Sequence, residues 1–372
     1  MYHPNHPQSH HHNSPHHRNF SWQASYSLNA LPLAPSVRGK LQSAGYHAVR
    51  DVLRCDVPLQ LCRAVPTLTL DEARDVLKAA RTGGNGRGLE GAKSAAEILR
   101  HEESKIPLHT FCEKLDAILG GGVSTGEITE FCGAPGVGKT QMCMQLACSA
   151  QIPREFSGNE GECVYIDTEG SFTGERCGDI ALGTHEFLKR SLRKSGSGGD
   201  ERRKGMIEIL DRKFTAEKML EKIHVFRCHE VTELLACLYA LPEFITKECP
   251  NVKLIVVDSI AFHFRQDFDD MALRASILSK TTNGLMSLAK KNDLAVVTIN
   301  QATTKPGGRL VPALGESYAH AATTRVALSW ENENRVAHVS KSPRLANGKA
   351  LYEITSDGVR DAEIVGSKRK AH

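Results

Sequence analysis

Apolar positions along this 372-residue chain follow two spacings, and the change between them divides it. From Leu31 to Arg81 the spacing is helical: Val37, Leu41 and Ala44, then Val49, Val52 and Leu53, with Gly45 as a break. Thr69-Leu70-Asp71-Glu72 has capping-box character and opens a further helix whose apolar face is Ala73, Val76, Leu77 and Ala80. This predicts a small helical domain over 28–82. Further on, short apolar runs take over at Glu127–Cys132, Glu162–Asp167, Lys253–Asp258 and Leu294–Asn300, separated by helical stretches such as Gln141–Ala150. Apolar strands that end in polar residues and alternate with helices predict an α/β domain over 106–363, with a parallel-rich sheet flanked by helices. Ligands of such sheets lie beyond the carboxyl ends of the strands, which is where the candidate polar residues fall.

The remaining segments read as connections and tails. Thr82 to Gly88 is a flexible linker by composition, and Lys93 to Glu103 a short helix, so 83–105 joins the two domains. Ser195 to Gly199 is expected to be an exposed loop. Residues 1–27 are rich in His, Pro, Ser and Asn; His10-His11-His12 could bind metal, but a solvated disordered tail is the stronger reading. A basic disordered tail closes the chain at 364–372. The small domain could contact the DNA backbone, but it lacks a Gly-rich hairpin turn, so a scaffold or partner-binding role stands beside that reading.

Composition narrows the class. Forty per cent hydrophobic residues are enough for a sizeable core, and a net charge of +4 is too slight to argue for nucleic-acid binding by itself. Eleven cysteines, among them Cys132, Cys143, Cys148, Cys163, Cys228 and Cys237 in apolar stretches, form no C-x-x-C pair. That excludes zinc knuckles and thioredoxin-type redox chemistry, and suggests buried thiols in a reducing, intracellular compartment. No apolar run is long enough to span a bilayer, so a soluble protein is expected.

Gly133-Ala134-Pro135-Gly136-Val137-Gly138-Lys139-Thr140, followed by Gln141, fits the phosphate-loop pattern in full, with a strand before it and a helix after it. Glycines let main-chain amides wrap phosphates, and the helix N-terminus adds positive potential. Lys139 is then the residue for the β- and γ-phosphates, and Thr140 the hydroxyl for Mg²⁺. Asp258, which ends a strand on the same sheet, fits a second carboxylate on the metal side. Glu169 follows a strand expected beside the phosphate loop; it could polarise a water, or pair with Arg176. Asn300-Gln301 closes what reads as the last apolar strand, placing Gln301 to sense a γ-phosphate and to signal to the loop Ala302–Gly315, which carries Lys305 and Arg309. Arg265 and Arg274 flank Asp267, Asp269 and Asp270, and either contact nucleic-acid phosphates or pair with those aspartates.

These motifs occur in one order: the phosphate loop, Asp167-Thr168-Glu169-Gly170-Ser171-Phe172, Leu254 to Ser259, Asn300-Gln301, and Ala319-His320-Ala321-Ala322-Thr323-Thr324-Arg325. Together they resemble the eukaryotic and archaeal branch of RecA-like recombinases, over most of the chain from Leu31 to Asp361. Phe131–Gln141 and Val311–His320 look more narrowly like the paralogue group, whose members assist the strand-exchange recombinase in homologous recombination. The resemblance implies a RecA-like P-loop ATPase core that uses ATP and Mg²⁺, with nucleotide held between subunits. It implies Glu169 as the water-orienting base, Gln301 as the γ-phosphate sensor and Arg176 as an adenine-stacking residue. His320 would be a relay beside the second DNA-binding loop, and Lys341 would lie near a neighbour's nucleotide. The implied partners are sister paralogues in hetero-oligomers, the B-type among them, the main strand-exchange recombinase, and single-stranded or branched DNA. The implied setting is the nucleus, with some protein in the cytoplasm. One departure bears on assembly: self-polymerising relatives carry an aromatic anchor before the core, whereas Gly91-Ala92-Lys93-Ser94-Ala95-Ala96-Glu97 has none.

Overall fold

In the computed structural model the described residues are 27–81 without Pro32, 93–194, 200–304 without Asp267 and Asp269, and 310–362 without Glu316, Ser317 and Ala319. The expected tails, the 82–88 linker, the 195–199 loop, Lys305 and Arg309 lie outside them. The chain divides into two compact units at Glu103/Ser104.

The first unit contains α1 (Pro35–Ser43), α2 (Val49–Val52), α3 (Pro58–Ala64), α4 (Leu70–Arg81) and α5 (Ala95–Glu103). Gly45 takes a left-handed φ of 84° between α1 and α2, as its place in the pattern requires. Val37, Leu41, Val49, Val52, Ala73, Val76, Leu77 and Ala80 form one apolar cluster, to which α3 adds Leu61; Ala44 is exposed. The α4 capping box is present: the Thr69 amide donates to Glu72 Oε2 at 2.8 Å and the Glu72 amide to Thr69 Oγ1 at 3.2 Å. α5 starts with a second box between Ser94 and Glu97, and buries none of its residues.

The second unit is built on a ten-stranded sheet. Its strands are β1 (Ile128–Gly133), β2 (Glu162–Asp167), β3 (Ile223–Arg227), β4 (Val252–Asp258), β5 (Ala295–Thr304), β6 (Leu310–Pro312), β7 (Thr324–Glu331), β8 (Asn334–Lys341), β9 (Lys349–Thr355) and β10 (Gly358–Asp361). The sheet order is β10-β9-β8-β7-β1-β5-β4-β2-β3, and β6 pairs with β5. From β7 to β3 all pairings are parallel; β7 to β10 are antiparallel neighbours. The helices are α6 (Glu113–Ile118), α7 (Lys139–Ser149), α8 (Gly174–Lys194), α9 (Asp200–Lys213), α10 (Ala216–Glu221), α11 (Val231–Lys247), α12 (Ala261–Gln266) and α13 (Met271–Asn292). Two apolar clusters cover the two sheet faces. One joins Phe131, Tyr165, Val256 and Val297 to α7 and α8; the other joins Ile128, Val164, Val257 and Val296 to α11 and α13. None of the eleven cysteines is in a disulfide; all are buried except the half-buried Cys62 and Cys237. No helix among the described residues is long and apolar enough to cross a membrane.

Three sequence expectations are corrected. The strand that leads to Glu169, β2, does not lie beside β1: β5 and β4 come between them. All these strands are buried apolar runs, so no residue pattern marks which pair is adjacent. Asn300-Gln301 ends neither the strand nor the sheet, because β5 continues to Thr304 and four more strands complete the antiparallel edge. The segment after Gln301 is not all loop either: Ala302, Thr303 and Thr304 pair with Pro312, Val311 and Leu310. Thr303, Thr304 and Val311 are β-branched and suit a ladder, but the segments are short and the glycines at 307 and 308 obscured them in the sequence.

Candidate functional site

β1 ends in Gly133, whose Cα side faces the neighbouring strand so closely that a Cβ would stand 2.3 Å from the Leu328 carbonyl oxygen. The chain then turns through Gly136 (φ 76°) and Gly138 (φ 103°), conformations that a residue with a Cβ adopts only under strain, and enters α7 at Lys139. Lys139 Nζ donates to the carbonyls of Gly133 and Ala134 at 2.9 and 2.8 Å, which folds the lysine back over its own loop. Burial lowers the Lys139 pKa, opposed by the carboxylates of Asp258 and Glu169. Thr140, the next residue, donates its hydroxyl to Asp258 Oδ2 at 2.7 Å.

Asp258 ends β4 and is 2 % exposed. The hydroxyl of Tyr165, wholly buried in β2, donates to the same Oδ2 at 2.8 Å. Burial raises the Asp258 pKa, partly offset by these two hydroxyls, and the charges of Glu169 and Asp167 add to the rise. Tyr165 was not singled out in the sequence; a hydroxyl in the middle of an otherwise apolar strand was the signal for it.

Asp167, at the end of β2, accepts the amides of Glu169, Ser171 and Phe172, which shapes the turn that carries Glu169. Glu169 Oε1 accepts from Ser259 Oγ at 2.6 Å and from Gln301 Nε2 at 2.8 Å. Gln301 Oε1 in turn accepts from Arg265 Nη1 at 2.5 Å. Glu169, Gln301 and Arg265 therefore form a continuous chain from the carboxyl end of β2 to Gln301 within β5 and on to α12. The alternative pairing of Glu169 with Arg176 is not formed. Arg176 instead donates to Gln141 Oε1 (2.7 Å) and to the carbonyls of Thr355 (2.7 Å) and Ser356, at the far side of the loop. A cleft of about 380 Å³ is lined by Pro135, Gly136, Gly138 to Gln141, Glu169, Ser171, Asp258, Ile299 and Gln301.

The other expected residues are less closely gathered. Arg274 donates to the Phe264 carbonyl, tying α13 to α12, while Asp270 caps α13 by accepting the amides of Ala272 and Leu273. Neither arginine pairs with Asp270. His320 is exposed. Lys341 donates to the Ala322 carbonyl at 2.6 Å, and burial together with nearby Arg325 lowers its pKa. Under this region is a buried polar group that sequence reading missed. Glu130, wholly buried in β1, accepts from Arg325 Nε at 2.6 Å and from Asn300 Nδ2 at 2.7 Å. A carboxylate in the middle of a buried strand was its sequence signal.

The residues present suit a nucleoside triphosphate with Mg²⁺. The glycine turns leave room for main-chain approach to phosphates, Lys139 supplies a cation, and the Thr140 hydroxyl and Asp258 carboxylate, already 2.7 Å apart, supply hard oxygen ligands on one side. Mg²⁺ bound there would neutralise charge on the β- and γ-phosphates. Glu169 and Gln301 line the same cleft, hydrogen-bonded to each other.

Comparison with known proteins agrees with this geometry. The Rad51 family model matches residues 101–186 and 197–362. The chain is 41% identical over 351 residues to the "DNA repair protein RAD51 homolog 3" of Cricetulus griseus, covering 91% of this chain and 93% of that one. It is 38% identical over 271 residues to the protein of the same name from Dictyostelium discoideum, covering 71% and 68%. It is 31% identical over 337 residues to the "DNA repair and recombination protein RadA" of Metallosphaera sedula, covering 88% and 93%. With a RecA-like mixed sheet, a helical amino-terminal unit and these matches across most of its length, the chain belongs to the Rad51 family, among its paralogues.

Proposed function

We propose that this chain is an ATP-dependent DNA-binding factor of homologous recombination and double-strand break repair. It acts in hetero-oligomers with sister paralogues, and helps to assemble or stabilise the strand-exchange recombinase on single-stranded DNA, with branched junctions as a further substrate. The observation that carries the reading is the contact chain Glu169–Gln301–Arg265, which runs from the phosphate cleft to the start of the β5–β6 hairpin. A γ-phosphate competing for the Gln301 amide would shift that side chain, and the hairpin continues directly from the same strand. Names of the relatives support a repair and recombination setting, and their homology supports ATP with Mg²⁺ as the nucleotide.

Lys139 and the loop amides bind the phosphates, Thr140 and Asp258 hold the metal side, and Glu169 orients water. Ser259 and Gln301 fix Glu169 from two directions, which suits slow, gated turnover more than rapid hydrolysis. The Ser94–Glu97 helix cap stands where self-polymerising relatives have their aromatic anchor, which supports defined hetero-oligomers rather than long self-made filaments. The test is co-expression with sister paralogues, followed by mass measurement and by ATPase and single-strand binding assays. ATP-dependent affinity for single-stranded DNA, strongest at low salt, is the expected result; its absence in the assembled complex would sink the proposal. Homogeneous filaments of the isolated chain on DNA would point instead to a recombinase in its own right. Loss of assembly in Lys139→Ala, with no ATPase in the wild type, would point to nucleotide as structural glue.

A further inference from the structure

At the amino ends of the strands, away from the phosphate cleft, three metal-ligating groups meet. Glu162 opens β2, His224 is the second residue of β3, and Cys249 follows α11 in the connection to β4. The parallel register pairs Val164 with His224, so Glu162, two residues before Val164, projects from the same sheet face as the imidazole. That face is covered by α11, whose carboxyl end delivers the Cys249 thiol from above. His224 Nε2 lies 2.7 Å from Glu162 Oε2, Cys249 Sγ lies 2.9 Å from the same oxygen, and sulfur and nitrogen are 3.2 Å apart. Cys249 is buried, while Glu162 and His224 are half-buried, with side chains 24 % and 32 % exposed. Among the described residues this is the one group of three His, Cys or carboxylate side chains gathered closely enough to share an ion.

We infer that Glu162, His224 and Cys249 form a three-ligand zinc(II) site, with its fourth position open to solvent. The donor set is sulfur, nitrogen and oxygen, a mixture that suits borderline Zn²⁺ better than Mg²⁺ or Ca²⁺, which take oxygen ligands. A tetrahedral zinc with bonds of about 2.0–2.3 Å spaces its donors roughly 3.3–3.7 Å apart. The observed separations of 2.7–3.2 Å are slightly tighter, so each donor needs to withdraw by about half an ångström or less. The charges close: a thiolate and a carboxylate neutralise the dication, and the proton of the Cys249 thiol leaves to solvent as the metal enters. Lys222 is the charged neighbour that acts on Glu162 beside His224.

Position gives the site a role. β3 is the last strand of the sheet, held by β2 alone. An ion shared by β2, β3 and the α11–β4 connection would clip this edge to the body of the core, through three segments that are distant in sequence. Sequence reading excluded only C-x-x-C motifs; these ligands lie 62 and 25 residues apart and have no local signature.

The test is metal titration of the full chain in its complex, with cobalt(II) as the spectroscopic probe and zinc(II) in competition against a chromogenic chelator. His10, His11 and His12 are replaced by Ala in a control, because an imidazole-rich tail binds metal without sulfur. The expected result is one equivalent of cobalt with a thiolate charge-transfer band, unchanged in the tail control and lost in Cys249→Ser. In His224→Gln zinc affinity should fall on the order of 100-fold. Serine can still donate to Glu162, so circular dichroism and nucleotide binding of Cys249→Ser should match wild type and show that the band was lost for lack of a ligand. A cobalt spectrum with no thiolate band, or one that survives Cys249→Ser, would overturn the site. Should Cys249→Ser fail to fold, His224→Gln decides, since zinc affinity equal to wild type would exclude the imidazole as a ligand.

Discussion

Asp258 is a carboxylate that the fold holds at a cost. Burial raises its pKa, so folding favours the protonated form. For such a group the contribution to stability is fully present below the ordinary carboxylate range and is lost as pH rises through the raised value. Asp258→Asn should therefore raise the melting temperature of the nucleotide-free protein at neutral pH, with the gain shrinking on acidification, while Mg²⁺-dependent ATP binding falls at least about tenfold. Melting curves at several pH values, with and without nucleotide, check both halves; a destabilised Asn variant would show that the two hydroxyls outweigh burial. Tyr165→Phe isolates one of those hydroxyls. It should cost about 1–2 kcal/mol in denaturant titration and weaken Mg²⁺-ATP binding severalfold, because Asp258 keeps only Thr140 to orient it.

Among elements, β1 carries the most revealing pair. Glu130 and the Arg325 guanidinium of β7 are cross-strand partners, with side chains 0 % and 13 % exposed. Breaking the pair from one side leaves an uncompensated buried charge, so Arg325→Ala should lose about 3–5 kcal/mol of stability. Glu130→Leu together with Arg325→Met should recover most of that loss, measured by the same unfolding titration; a double variant as weak as the single one would count against this view. The pair also shows where sequence reading stopped. The glycine turn at 133–138 was legible because only glycine suits its left-handed φ values, and the α4 capping box because its bonds lie within four residues. Glu130, Asn300 and Arg325 each looked like an isolated polar residue in a strand, since their meeting depends on β1 lying between β5 and β7. That order, and with it the route from Glu169 to Gln301, is a property of the assembled sheet. The β5–β6 ladder escaped for a similar reason, being made by two short segments of weak pattern.

In the whole molecule, every residue of the phosphate cleft belongs to the unit that starts at Ser104, and the helical unit has an apolar cluster of its own. A chain beginning at Ser104 should accordingly bind Mg²⁺-ATP within about threefold of the full chain, by calorimetry, whatever it loses in partner binding. A much larger loss would mean that the helical unit supports the nucleotide site. The free thiols provide a further handle. Cys55 belongs to the cluster of the helical unit, Cys143, Cys148, Cys163 and Cys177 to one face of the sheet, and Cys228 to the other. A buried thiol reacts with an alkylating reagent only when its surroundings open. Without a single added label, the chain therefore carries a set of built-in reporters, and timed alkylation read by peptide mass would show in which order its three apolar clusters come apart, and which of them nucleotide holds shut.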